Sequence, residues 1–164
     1  MKTGVIIIFH NNAKDINPSI FIENIIKVSD LKICFVNNNS RDNTAFILEI
    51  IADRCDNVSL VNIKKTKSDI SAIRAGARFM NSHYNLDKIA YVSTNLLNTK
   101  YHGLNALIHA IVDNQEDILN YNKNVFQGKK NHNSIFKSMF SLVDYLKTLK
   151  TNNAFINLQR LSKL

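Results

Sequence analysis

The side chains able to do chemistry gather in three short polar clusters, Phe9-His-Asn-Asn12, Asn37-Asn-Asn-Ser40 and Ser93-Thr-Asn95. Their amides, hydroxyls and imidazole donate and accept hydrogen bonds, which suits a polar ligand. They carry no fixed negative charge with which to retain a hard divalent cation. Five histidines, His10, His83, His102, His109 and His132, occur without a Gly-x-Ser-x-Gly nucleophile elbow, so Ser-His-Asp hydrolysis has no support. Neither Gly-x-Gly-x-x-Gly nor Gly-x-x-x-x-Gly-Lys is present, which removes the Rossmann and P-loop readings. A phosphoacceptor switch would want an Asp at a strand end, where Asn or Ser stands here. Because the chain holds 24 asparagines, one Asn alone is weak evidence and the clustering carries the argument.

Each cluster follows a short apolar run, and the runs define the elements that must position it. Val5 to Phe9, Leu31 to Val36, Val58 to Ile63 and Lys88 to Val92 have the continuous, β-branched character of strands buried on both faces of a parallel sheet. Between them lie helical patterns. Asn17 caps and Pro18 opens a helix carrying Phe21, Ile22, Ile25, Ile26 and Val28. The turn from Asn37 to Thr44 leads into one carrying Phe46, Ile47, Ile50 and Ile51, and Ile70, Ile73, Ala77 and Met80 mark a third. Strands alternating with helices imply right-handed crossovers and an α/β fold, a three-layer doubly wound sheet that is mainly parallel. Ligands in such folds bind beyond the carboxyl ends of the strands, where the three polar clusters fall.

After Asn95 the pattern turns helical. Leu104, Leu107, Ile108, Ile111 and Val112 form one stripe, Ile135, Met139, Leu142, Leu146 and Leu149 another, and Asp117 to Leu119 reads as a short strand between them. Lys137, Lys147 and Lys150 on the last helix suit an acidic membrane surface, although a core-facing stripe is the commoner explanation.

The 164 residues suit a single domain spanning 1–164, with 45% hydrophobic residues to build a core and only four glycines and one proline. Val5 to Phe9 is too short to cross a bilayer and the start lacks signal-peptide character, so a cytoplasmic location is expected. Cys34 and Cys55 have no metal-ligand spacing and read as packed, reduced thiols. The net charge of +8 attracts phosphate groups, nucleic acid or anionic membranes without choosing among them. Lys64, Lys65 and Lys67 are the one tight basic group and read as a solvated loop. Nucleic acid stands low as a partner, because no aromatic residues interleave with the basic ones.

At the strand ends the chain resembles glycosyltransferase family 2, whose GT-A fold is a nucleotide-binding α/β sandwich, from Val5 to about Asn98. Ile8-Phe-His-Asn11 is similar to the family's Pro-x-Tyr/His-Asn. Val36-Asn-Asn-Asn-Ser-Arg-Asp-Asn-Thr44 is similar to Val-Asp-Asp-Gly-Ser-x-Asp-x-Thr, with Val36, Ser40, Asp42 and Thr44 in register. Ala72-Ile-Arg-Ala-Gly76 resembles Ala-Val-Arg-x-Gly. In place of the preceding Asn-x-Gly-Lys stands Thr66-Lys-Ser-Asp69, and in place of the metal-binding Asp-x-Asp stands Ser93-Thr-Asn95.

The resemblance implies a nucleotide or nucleotide sugar as partner, with Phe9, His10, Asn11, Asn37, Asn38, Arg74, Thr94 and Asn95 as nucleotide-binding residues. In the family the strand-end acids accept hydrogen bonds from base and ribose; Asn37 or Asn38 would accept through an amide oxygen. The alternative is that these side chains only cap the following helix. The family would imply magnesium or manganese, but no metal ligands and no catalytic base are assigned here. Asp113, Glu116, Asp117 and Asp144 are available acids that no motif promotes. The expectation is a truncated family 2-like domain that binds a nucleotide sugar with weakened or lost glycosyl transfer, a pseudoenzyme. A metal-independent transferase acting on polyprenyl phosphate or sugar acceptors, with Lys or Arg neutralising the leaving diphosphate, is one alternative. A non-catalytic scaffold binding protein or an anionic membrane surface is the other.

Overall fold

The computed structural model describes residues 2–97, 103–121 and 138–149. In chain order they form β1 (Thr3–Phe9), α1 (Pro18–Ile25) with a 3-10 turn (Ile26–Val28), β2 (Leu31–Asn38), α2 (Thr44–Arg54), β3 (Val58–Ile63) and α3 (Asp69–His83). There follow β4 (Lys88–Ser93) with a second 3-10 turn (Thr94–Leu96), α4 (Gly103–Asp113), α5 (Gln115–Asn120), β5 (Met139–Ser141) and α6 (Leu142–Thr148). The sheet order is β3-β2-β1-β4-β5 and every pairing is parallel.

The three-layer reading holds, for a reason visible in β1. Alternate side chains leave a strand on opposite faces, so Val5, Ile7 and Phe9 enter one core while Ile6 and Ile8 enter the other. The first core joins the sheet to Phe21 and Ile25 of α1, Leu48 and Ile51 of α2, Leu107 and Ile111 of α4, and Leu142 and Leu146 of α6. The second lies under α3, through Ala72, Ala77 and Met80. The crossover from β3 back to β4 reverses direction along the sheet, and a right-handed crossover then requires its helix on the opposite face from α1 and α2. Small residues let α3 approach closely: a Cβ on Gly76 would lie 2.9 Å from Val36 Cγ2 and 3.1 Å from Ile6 Cγ2.

The first helix is capped as its residue types dictate. Asn17 Oδ1 accepts the N–H of Ile20, with Pro18 opening α1. Cys34 and Cys55 are buried and free, and burial pushes the Cys34 thiol up to about 12.

Several expectations are corrected. Asp117–Leu119 belongs to α5, where Glu116 and Asp117 occupy the first turn and favour a helix N-terminus. Met139 pairs with Ile89 as part of β5, because the edge of β4 takes a partner strand and that pairing overrides helical spacing. Phe46 and Ile70 are 63% and 64% exposed, and Ile26 is exposed as well. On α2 the face that meets the sheet is Thr44, Leu48 and Ile51, which leaves Phe46 on the far side. On α6, Leu142, Val143 and Leu146 are buried, so its apolar side serves the core. Ile135, Lys137 and Lys150 lie outside the described residues.

Candidate functional site

The chain steps outward from β1 to β2 to β3 and returns to β4 on the other side of β1. This reversal is the switch point of a doubly wound sheet, and the crevice beyond the carboxyl ends there is where such folds take ligands. Register places Phe9 beside Asn37 and Ile8 beside Ser93, so all three polar clusters arrive at one edge.

The loop after β1 is laced to the loop after β2. Asn11 and Asn39 both adopt φ 52°, the left-handed region that Asn tolerates better than other residues with side chains. From that conformation Asn11 N–H donates to Ser40 Oγ at 3.0 Å, and its Oδ1 accepts from Arg41 N–H at 2.8 Å. Asn12 N–H donates to Thr44 Oγ1, and Ala13 N–H to Asp42 Oδ2. Asp42 also accepts from the Thr44 main chain and hydroxyl. Partial burial pushes the Asp42 carboxyl up, but the hydrogen bonds from Thr44 and Ala13 outweigh it and hold the group below the ordinary aspartate range.

His10 is exposed, and its Nδ1 lies 2.7 Å from the Asn38 carbonyl oxygen. That oxygen can only accept, so the proton sits on Nδ1 and Nε2 is left as an acceptor, 3.2 Å from the Asn11 amide nitrogen.

The segment from Lys64 to Asp69 crosses this edge. Asn38 grips Lys67 twice, Nδ2 donating to the Lys67 carbonyl at 2.8 Å and Oδ1 accepting its N–H at 3.0 Å. Asn39 Nδ2 donates to Thr66 Oγ1 at 3.1 Å. Farther along, Asp69 Oδ2 accepts from Asn95 Nδ2 at 2.9 Å, so the segment leaves β3, passes β2 and ties to the end of β4. At that end Thr94 Oγ1 donates to Asn12 Oδ1 at 2.9 Å, and the same oxygen accepts His10 N–H at 2.7 Å.

The expected site residues therefore divide. His10, Asn11 and Asn95 are brought together at the edge with exposed side chains. Asn37, Asn38 and Thr94 are there too but are 5%, 4% and 7% exposed. Asn37 donates to Asn62 and accepts from Ser40 N–H, so both strand-end asparagines commit their amides to the chain itself. Phe9 ends β1 at the same edge with its ring fully buried and edge-on to Phe35 at 5.2 Å, which leaves its main chain for a ligand. Arg74 stands on the exposed side of α3, about 200° around the helix from sheet-facing Gly76.

Sequence reasoning missed Asn12, Asn39 and Asp69. Asn12 closes the first polar cluster and Asn39 stands inside the second, so position was the available signal. Asp69 showed itself only as an acid where the resemblance puts Lys.

The family model for Glycosyl transferase family 2 matches residues 4–86, just over half of the chain. The chain belongs to that family. No curated protein matches it. Among solved structures, the fragment 1–349 of S. aureus TarS is similar at 15% identity and TM-score 0.46, over 70% of this chain and 33% of that one. The same fragment in complex with UDP-GlcNAc gives 15% identity and TM-score 0.44, over 70% and 32%. This chain thus spans about a third of the length of these structures.

The match to family 2 stops at Leu86, before β4, and beyond it the metal motif expected by resemblance is replaced. A magnesium or manganese ion of the kind the family implies does not fit the residues present. Ser93 and Thr94 are buried and neutral, the Thr94 hydroxyl is turned to Asn12, and Asn95 presents its NH2 group to Asp69. Magnesium is held by one or two carboxylates together with phosphate oxygens, and the acid tied to this end, Asp69, already accepts from Asn95 and opens α3. Among the described residues no group of three or more His, Cys, Asp or Glu side chains converges. No described helix is long and apolar enough to cross a membrane.

Proposed function

We propose that this family 2 domain binds a nucleoside diphosphate or nucleotide sugar across the carboxyl edge of β2, β1 and β4 without a divalent cation, and that glycosyl transfer is weakened or lost. The observation that carries the reading is the convergence of exposed His10, Asn11 and Asn95 on the switch-point crevice, with neutral side chains at the end of β4.

The exposed amides of Asn11 and Asn95 keep a hydrogen or a lone pair beyond their contacts with His10, Arg41 and Asp69, a set suited to ribose hydroxyls and base edges, and His10 Nε2 orients the Asn11 amide. Asn37 and Asn38 hold the loops that shape the crevice. The side chains bind and orient; among them no carboxylate is placed as a general base for an attacking hydroxyl.

Calorimetric titration with uridine and guanosine sugar nucleotides tests the reading, which predicts binding that persists in chelator. Complete absence of binding across the panel would remove the nucleotide role. A turnover assay with polyprenyl phosphate and sugar acceptors tests the second half of the proposal, which predicts no product with or without chelator.

A further inference from the structure

With neutral side chains at the end of β4, the negative charge of a bound diphosphate needs another counter-charge, and the segment crossing the crevice carries it. We infer that Lys64, Lys65 and Lys67 form the pyrophosphate subsite of this domain, and that Asn38 and Asn39 are positioning residues that hold the lysine segment across the strand ends. The inference rests on the nucleotide reading above and names the part of the ligand that the exposed amides leave unmatched.

Three observations support it. The segment is braced, since three side-chain hydrogen bonds from the end of β2 reach Thr66 and Lys67. Asn38 is almost wholly buried and satisfies both main-chain groups of Lys67, a geometry that fixes the backbone and uses none of the lysine side chain.

The segment also spans the crevice, from β3 past β2 to the Asp69–Asn95 bond at β4, and Lys64, Lys65 and Lys67 are all exposed along it. The one acid in this stretch, Asp69, is taken up by Asn95 and opens α3, where a carboxylate complements the helix dipole. Finally, the charge is of the right kind. Lysine ammonium groups are point charges that bind phosphate oxygens without the coordination geometry a metal demands.

The test uses the full chain in chelator, titrated calorimetrically with inorganic pyrophosphate, UDP, GDP, uridine and guanosine at two salt concentrations. The wild type is expected to bind at least one diphosphate at least about tenfold more tightly than its nucleoside, with the difference shrinking at high salt. Replacing Lys64, Lys65 and Lys67 together by Ala should abolish that difference while leaving nucleoside affinity within about twofold. A control variant with Lys2, Lys27 and Lys147 replaced, equal in charge change, should retain it. Asn38→Ala should lose the same diphosphate increment and salt dependence, a readout that simple loss of stability would not reproduce in protein shown to be folded by circular dichroism.

A triple lysine variant that keeps the full diphosphate preference overturns the inference and leaves the nucleotide reading standing. Lysine-dependent binding of pyrophosphate with no nucleoside contribution supports the subsite and overturns the nucleotide reading. No binding of any probe overturns both.

Discussion

Asn12→Ala should cost about 2 to 3 kcal/mol of stability and loosen the crevice at once. The Asn12 Oδ1 accepts two hydrogen bonds, from His10 N–H at 2.7 Å and Thr94 Oγ1 at 2.9 Å. Each is worth about 0.5 to 1.5 kcal/mol net, and leaving the nearly buried Thr94 hydroxyl without its acceptor pushes the total toward the upper end. In equilibrium urea unfolding, with a slope of about 1 to 3 kcal/mol per molar, the midpoint should fall by roughly 1 M. Asn12→Asp keeps an acceptor oxygen and should lose far less. A double-mutant cycle with Thr94→Val should return a coupling of about 1 kcal/mol, since the two groups touch directly. If Asn12→Ala unfolds within about 0.5 kcal/mol of wild type, the range expected of an ordinary surface change, the loop after β1 is not held to β4 as described.

Asp42 sets an acid-side dependence. Its carboxyl is depressed in the folded chain, so the stabilisation is fully present above the ordinary aspartate value and is lost as pH falls through the depressed one. Unfolding measured from roughly pH 6 down to 2 should show an acid loss in wild type that Asp42→Asn reduces; equal slopes would contradict the assignment. Gly76→Ala should destabilise by about 1 to 3 kcal/mol, because the added methyl meets Val36 and Ile6 on the sheet, and calorimetric melting would register it. The same change at exposed Arg74 should leave the melting temperature nearly unaltered.

Much of the fold was legible because continuous apolar runs admit few alternatives. Val58–Ile63 was bounded in the sequence as it is in the structure, and the Asn17-Pro18 start of α1 follows from cap and proline chemistry. Helix facing was less legible, since apolar residues on α2 and α3 outnumber the positions that touch the sheet and spacing alone does not say which are used. Phe46 and Ile70 mark the helical pattern yet stand exposed. The short β5 depends on a partner strand fifty residues away, which no local pattern records.

At the site, the sequence located the strand ends but not what their amides do. Asn37 and Asn38 looked like ligand contacts because side-chain amides serve equally well for a ribose or for a main-chain peptide group. Only the folded path of Lys64–Asp69, passing over the end of β2, shows the Lys67 peptide groups to be the partners of Asn38, while Asn37 meets Asn62 and the Ser40 N–H. The same path carries the three exposed lysines that we infer to meet a pyrophosphate.

The most direct measurement is the dissociation constant of uridine and guanosine diphosphates and their sugars, taken by calorimetry in chelator and again with millimolar magnesium or manganese. Replacement of the acids at the end of β4 by Ser93 and Asn95 predicts binding in chelator, unchanged by either ion within about twofold. Binding that appears only with metal, or tightens more than about tenfold on adding it, would contradict the account.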